Sequence, residues 1–254
     1  MKRILVLGLI LLIAAACGGR RAGDSEDSFA HHYNLGLAAF EQGNYRQAIR
    51  HFQRSLELNP NIARTHNELG MCYLNLGEHE RAIQHFERTL ELEPNFADAH
   101  NSLGIAYSNT GRLQEAEQQF LAALDSTTYG TDFLPNYNLG NIYLQQGEHG
   151  RALERFNFAL EDESRVTQED KINLRLGLGY TLLHLERYRE ALDHFEEVLT
   201  LSPRNVNAAF FGGRCAFYVG NADRARELFS RVITNAPGTE WSERAQAYLR
   251  ELDR

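Results

Sequence analysis

The fold of this chain is decided by residues 63–96, which read ARTHNELGMCYLNLGEHERAIQHFERTLELEPNF. The pattern predicts a first helix over about 63–76, which Gly77 ends because glycine tolerates the positive φ found at helix termini. A second helix is predicted over about 78–92, and Pro94 stops it because proline has no N–H to continue the ladder. Its apolar residues recur at helical spacing: Ala82, Ile83, Phe86 and Leu90.

The same pattern recurs along the rest of the chain. A glycine follows leucine in most first helices: Gly36, Gly70, Gly104, Gly140 and Gly179, with Gly213 after a second glycine. An alanine follows each glycine at a fixed distance: Ala48, Ala82, Ala116, Ala152, Ala191 and Ala225. A phenylalanine follows each alanine one helical turn later: Phe52, Phe86, Phe120, Phe156, Phe195 and Phe229.

This spacing resembles the tetratricopeptide (TPR) repeat, a helix–turn–helix unit of about 34 residues. The resemblance implies an all-α TPR solenoid, a right-handed α-α superhelix of six repeats. The repeats are expected at 29–62, 63–96, 97–130, 133–166, 172–205 and 206–239. Extra residues enter near 125–132 and 161–170, the second as a solvated loop or an extended helix start. A capping helix is expected within 240–254, with one apolar face: Trp241, Ala245, Tyr248, Leu249 and Leu252.

The first residues have the pattern of an export signal. Lys2 and Arg3 precede an apolar run over 4–16, which is shorter than the roughly 20 residues of a membrane-spanning helix. Small residues before Cys17 resemble a bacterial lipobox, which implies a signal peptide at 1–16 and palmitate-type lipidation of Cys17. The alternative is an ordinary signal peptide with an incidental cysteine. Residues 17–28 have almost no apolar side chains and are expected to form a flexible tether.

Composition and motifs weigh against several classes of function. The net charge of −8 disfavours nucleic acid and adsorption to anionic lipid. No catalytic motif is present, so we expect no enzyme, no cofactor and no small-molecule substrate. His32, His66 and His100 recur at one repeat offset and are expected to pack rather than bind a metal. Cys72 and Cys215 share another offset and are expected to be buried, inert thiols.

The expected function is to bind a protein or peptide segment. In TPR proteins the first helices line a concave groove, and the resemblance maps this groove to positions two before, two after and five after the conserved leucine. The mapped residues are Tyr33, Leu37 and Phe40; Asn67, Met71 and Leu74; Asn101, Ile105 and Ser108; Tyr137, Asn141 and Leu144; Leu176, Tyr180 and Leu183; Phe210, Arg214 and Phe217. Asparagine amides can pair with both peptide N–H and C=O groups.

The far end of this groove is rich in aromatic residues. Phe210, Phe211, Phe217 and Tyr218 lie close together in the sequence. Exposed aromatic residues at that density mark a contact site. The alternative is that half of them form the core of the last repeat.

A lipid-anchored stack of six TPRs resembles the pilotin-type lipoproteins of type IV pilus biogenesis. The strongest local likeness is in 123–147, where Tyr129 and Thr131 lead into Asn138, Leu139 and Gly140. The resemblance implies a periplasm-facing outer-membrane lipoprotein that holds a secretin subunit and helps the secretin assemble. The alternative is a scaffold for peptidoglycan hydrolases or for another envelope complex.

Overall fold

The computed structural model describes residues 28–126, 133–161 and 166–254. These residues form thirteen α-helices and no strand, which confirms the all-α prediction for the described parts of the chain. The predicted signal peptide at 1–16, Cys17, the tether before Ser28, Tyr129 and Thr131 lie outside the described residues. The helices are α1 (Phe29–Glu41), α2 (Tyr45–Leu58), α3 (Ala63–Asn75), α4 (His79–Leu92), α5 (Ala97–Asn109), α6 (Leu113–Asp125), α7 (Phe133–Gln145), α8 (His149–Glu161), α9 (Gln168–His184), α10 (Tyr188–Leu201), α11 (Val206–Tyr218), α12 (Ala222–Asn235) and α13 (Glu240–Leu252).

The described chain divides into two compact units at Asn61. In the first unit α1 packs against α2, and the Ser55 hydroxyl donates a hydrogen bond of 2.9 Å to the carbonyl of Phe29. The second unit holds α3 to α13. There each first helix packs against its own second helix, and each second helix packs against the next helix in the chain. This nearest-neighbour pattern is that of stacked helical repeats.

The recurring glycine and phenylalanine meet inside each pair of helices. A Cβ added to Gly70, Gly104 or Gly140 would lie 2.6 Å from the ring of the phenylalanine in the partner helix. Only a residue without a side chain lets the ring lie that close to the backbone of the first helix. The six phenylalanines at this offset are almost fully buried: Phe52, Phe86, Phe120, Phe156, Phe195 and Phe229.

The turn between the two helices of a repeat depends on a left-handed residue. Gly77 has φ +74° there, and its amide donates a 3.0 Å hydrogen bond to the carbonyl of Leu74. In the repeat built from α9 and α10 the same place is taken by Glu186, with φ +60°. Because this conformation costs roughly 1–2 kcal/mol for a residue with a Cβ, Glu186 holds a strained turn.

The second insertion partly extends a helix. Helix α9 is 17 residues long and begins at Gln168, four residues before the predicted repeat boundary at Ile172. Thr167 and Asp170 form a capping box, in which the amide of Asp170 donates to the Thr167 hydroxyl and the amide of Thr167 donates to the Asp170 carboxylate. This local pairing fixes the start of the helix. The extended helix start is therefore correct for 168–170.

Helix α13 closes the apolar core at the C-terminal end. Ala245 is buried in the core formed by α9 to α12, and the other predicted apolar residues of α13 pack against that core: Trp241, Tyr248, Leu249 and Leu252. The opposite side of α13 carries charged side chains such as Glu243 and Arg250. Among the described helices, none combines the length and apolar character needed to cross a bilayer.

Candidate functional site

The first helices of the second unit lie next to one another. Helix α5 contacts both α3 and α7, and α9 contacts both α7 and α11. The predicted groove positions on these helices therefore share one side of the unit, which we call the first-helix face. Tyr33 and Leu37 belong to α1 in the first unit, where both are partly buried and the Tyr33 ring lies 5.8 Å from Phe52.

Most residues of the first-helix face are partly exposed. They are Met71, Leu74, Ile105, Ser108, Tyr137, Asn141, Leu144, Leu176, Tyr180, Arg214 and Phe217. Two of the residues two positions before the leucine lie deeper, since Asn67 is 7% exposed and Asn101 is 6% exposed. The face thus has a buried polar base with partly exposed apolar side chains beside it.

The two buried asparagines differ in how their amides are used. The Asn138 amide nitrogen donates a 3.2 Å hydrogen bond to Oδ1 of Asn101, which joins α7 to α5. Asn67 donates only a long bond of 3.5 Å to Glu68, and its own Oδ1 is buried without a hydrogen-bond partner among the described residues. A buried amide oxygen without a partner is costly, so the described residues leave the hydrogen-bonding capacity of Asn67 Oδ1 unmet.

Asn138 is a residue that the repeat offsets missed. It lies one position before Leu139, where the two preceding repeats have Glu68 and Ser102, so it was not among the mapped groove positions. Asn138 and Asn141 line a cavity of about 160 Å³ together with Ile105, Ser108, Asn109 and Phe120. The cavity therefore lies between α5 and α7, beside the bond from Asn138 to Asn101.

The structure corrects the assignment of Phe210 to the groove. Phe210 is fully buried, with its ring 5.0 Å from Trp241 and 6.0 Å from Phe229. On α11 this position faces α13, which brings the large rings of Trp241 and Tyr248. Phe210 is thus part of the core and is not available to a partner.

The other aromatic residues at this end remain nearer the surface. Phe211 and Phe217 are partly buried, and Tyr218 is 47% exposed. The Tyr218 ring stacks on Tyr188 at 4.7 Å, and the Phe217 ring lies 5.4 Å from Tyr248. The aromatic end of the face is therefore divided between core and surface, as the alternative interpretation expected.

The histidines and thiols take part in packing. His66 Nδ1 lies 3.2 Å from His85 Nδ1, and His100 pairs with Gln119 at 2.7 Å. Both cysteines are free and buried, which confirms that part of the prediction, and burial raises the pKa of the Cys72 and Cys215 thiols to about 12. Over the described ranges, no three His, Cys, Asp or Glu side chains are grouped to hold a metal ion.

Solved structures of other proteins share this arrangement of helices. The pilF structure of Pseudomonas aeruginosa matches with a TM-score of 0.76 and 23% identity, over 87% of this chain and 97% of that one. PilW, described as a widely conserved type IV pilus biogenesis factor, matches with a TM-score of 0.72 and 21% identity, over 86% of this chain and 98% of that one. YrrB, described as a TPR protein with an unusual peptide-binding site, matches with a TM-score of 0.65 and 24% identity, over 77% of this chain and 97% of that one. At these identities the likeness concerns the fold.

Sequence relatives match over shorter stretches. The chain is 27% identical over 97 residues to the human intraflagellar transport protein 88 homolog, and 37% identical over 73 residues to a TPR repeat-containing protein of Methanocaldococcus jannaschii. These stretches cover 38% and 29% of this chain but only 12% of each relative. The tetratricopeptide repeat model matches residues 33–95, 75–131 and 176–240, and a second tetratricopeptide repeat model matches 133–204. This chain therefore belongs to the tetratricopeptide repeat family, whose solenoid fold is one for binding other proteins.

Proposed function

We propose that the chain is a non-enzymatic, lipid-anchored adaptor that binds a protein segment on its first-helix face. The observation that carries the binding role is Asn67, whose buried Oδ1 has no hydrogen-bond partner among the described residues. On the same helix, the partly exposed Met71 and Leu74 follow Asn67 by about one and two turns, and the neighbouring first helix α5 carries the buried Asn101. A bound segment would displace the side chains that cover this oxygen, donate a backbone N–H to it and cover the apolar side chains beside it.

The proposed partner is an extended segment of a secretin subunit. Support comes from the structural similarity to PilF and PilW, which covers most of this chain and nearly all of each of those two structures. Further support comes from the resemblance of 123–147 to the pilotin-type lipoproteins. In this proposal the adaptor promotes secretin assembly in type IV pilus biogenesis.

The proposed location is the periplasmic side of the outer membrane, with the chain anchored through lipidated Cys17. Two or more acyl chains anchor a protein stably where one chain gives only marginal binding. Anchoring would confine the adaptor and its partner to one surface and would raise their effective concentration, so that a weak interaction becomes efficient capture.

A deletion strain with complementation tests this function. We expect loss of secretin multimers and of surface pili while secretin monomer persists, and we expect the wild-type chain to restore both. A Cys17→Ser variant that is still exported should fail to restore multimers at the outer membrane. Secretin multimers that are unchanged in the deletion strain would reject the pilus role.

The binding face requires its own test, separate from the anchor. Complementation with Asn67→Ala should reduce secretin multimers, whereas Asn75→Ala should not, because the exposed Asn75 amide bonds to the carbonyl of Met71 on its own helix. Affinity purification from detergent extracts then identifies what the anchored chain holds. Recovery of peptidoglycan hydrolases instead of secretin would replace the pilus role with the cell-wall scaffold.

A further inference from the structure

Arg214 lies at the C-terminal end of the first-helix face, on α11, and is partly buried. Among the residues that the structure describes, its buried Nε has no hydrogen-bond partner and no carboxylate lies within ion-pair distance of it. Other arginines of this unit are paired: Arg151 with Glu117, Arg175 with Glu197 and Arg224 with Glu196. Burying part of a guanidinium without an anion beside it is unfavourable, and an anion from a bound partner would remove that cost.

The surroundings of Arg214 are aromatic and uncharged at neutral pH. Its guanidinium carbon lies 5.6 Å from the centre of the Phe211 ring. The phenol of Tyr248 on α13 is hydrogen-bonded to the Arg214 side chain, and Tyr188 on α10 and His184 on α9 are near enough to interact with its charge. The ring of His184 stacks at 4.6 Å on His149 of α8, and partial desolvation lowers the pKa of His184.

The acidic residue near this group of side chains, Glu186, does not neutralise the positive charge of Arg214. The negative charge of Glu186 contributes to the raised pKa of Tyr188, but within the described chain Glu186 forms no ion pair with Arg214. Four elements thus surround the cation, α9, α10, α11 and α13, and they bring phenols and an imidazole rather than carboxylates. Tyr218 and Phe217 add apolar surface beside it, with their rings 5.7 Å apart and Tyr218 47% exposed.

From this arrangement we propose that Arg214 binds the side-chain carboxylate of an Asp or Glu residue in the bound segment, while Phe217 and Tyr218 contact apolar side chains next to that acid. The inference rests on the proposed binding role of the first-helix face and specifies its partner as an acidic, apolar segment. A guanidinium forms two parallel hydrogen bonds with a carboxylate, and a low-dielectric aromatic wall strengthens them. Because the chain has a net charge of −8, it would repel acidic residues elsewhere in the bound segment. The site would therefore favour a segment that has its acidic residue at the position facing Arg214.

The test uses the full-length chain in detergent and an array of random peptides with amidated C-termini, so that side chains supply the only carboxylates. We expect the bound peptides to share an Asp or Glu beside an aromatic or aliphatic residue. The tightest peptide is then compared with its amide counterpart, Asp replaced by Asn or Glu by Gln, by fluorescence anisotropy. The amide counterpart should bind the wild-type chain about tenfold to a hundredfold more weakly.

Variants locate the effect at Arg214. In Arg214→Gln the acidic peptide and its amide counterpart should bind about equally, and Arg214→Lys should recover part of the difference because it keeps the charge without the planar fork. The matched control is Arg189→Gln, which removes an exposed arginine next to Tyr188 and should leave the difference unchanged. Circular dichroism and the unfolding midpoint confirm that each variant is folded.

The outcomes separate this inference from the function on which it rests. Peptides that bind without an acidic preference, or a difference that persists in Arg214→Gln, overturn the role of Arg214 and leave the binding face intact. Binding that requires a free C-terminal carboxylate also overturns it, since the anion then comes from the chain end. If no peptide binds, both the inference and the proposed binding role are rejected.

Discussion

Gly104 lies against the ring of Phe120, so that a Cβ at position 104 would be 2.6 Å from Cε1 of that ring. The Gly104→Ala variant should therefore force the ring or the helix to move and should lower the free energy of unfolding by roughly 1–3 kcal/mol. Urea denaturation measures the change. Gly150→Ala is the matched control, because a Cβ there meets nothing within 4 Å and alanine favours the helix. Equal effects of the two substitutions would contradict the packing role of Gly104.

Helix α8 offers a pair of phenylalanines two residues apart with opposite environments. Phe156 is fully buried, so Phe156→Ala should leave a cavity and cost roughly 3–5 kcal/mol of stability. Phe158 is 43% exposed and contacts Arg155 with its ring, so Phe158→Ala should cost less than about 1 kcal/mol. Thermal and urea unfolding of both variants check the contrast, and similar losses would show that α8 packs in another register.

The stability of the second unit should depend on pH through His85. Burial lowers the pKa of His85 to about 4, and the neighbouring His66 and Arg81 act in the same direction. The unfolded chain therefore takes up a proton before the folded chain does, and the stability that is present above about pH 6.5 falls as the pH is lowered towards 4. Urea midpoints at pH 7 and pH 5 should differ more in the wild type than in His85→Gln.

The titration of His85 can also be followed directly. Its imidazole C–H resonances should shift with a midpoint near pH 4 in the folded chain. A midpoint near 6.5 would mean that His85 is not buried in solution, and the stability slope would then have to come from other groups.

Asn67 should contribute little to stability and more to binding. Its hydrogen bond to Glu68 is long, so Asn67→Ala should change the free energy of unfolding by less than about 1 kcal/mol. The same variant should weaken the tightest peptide from the array, because the bound backbone loses its acceptor. Asn75→Ala, on the same helix, should leave that affinity unchanged. An Asn67→Ala chain that binds as the wild type does would remove Asn67 from the site.

Replacing Glu186 with glycine should make the folded chain more stable. Its φ of +60° is one that glycine adopts without strain, and Gly77 holds φ +74° at the equivalent turn. Glu186→Gly should therefore raise the unfolding midpoint, with a gain of up to about 1 kcal/mol after the extra flexibility of glycine in the unfolded chain is counted. A lower midpoint would show that the side chain of Glu186 stabilises the turn more than its backbone strain costs.

Much of the fold can be predicted from spacing because each repeat places the same residue in the same contact. The predicted helix over about 63–76 ends at Asn75 in the structure, and the predicted helix over about 78–92 begins at His79. The offsets of Gly70 and Phe86 are visible in the sequence, and the structure adds that the two residues meet within one repeat. Such local rules hold whichever helices come next in the stack.

The site was less predictable because its contacts cross from one repeat to the next. The offsets treat Asn67, Asn101 and Phe210 alike, yet each faces whatever side chains the next first helix or the capping helix carries. Asn101 meets Asn138 and becomes hydrogen-bonded, whereas Phe210 meets Trp241 and becomes core. Arg214 is similar, since its phenol neighbours come from α10 and α13, and no repeat offset relates those residues to one another.

Helix α13 determines when the aromatic core at the C-terminal end becomes covered during synthesis. It covers Phe210 and Phe229, the latter through a stacked ring contact of 4.9 Å with Tyr248. Because α13 is translated after all the helices that it covers, these rings remain uncovered until it has left the ribosome. Premature termination after α12 would release a product with an open aromatic end, which favours aggregation and recognition by chaperones and proteases.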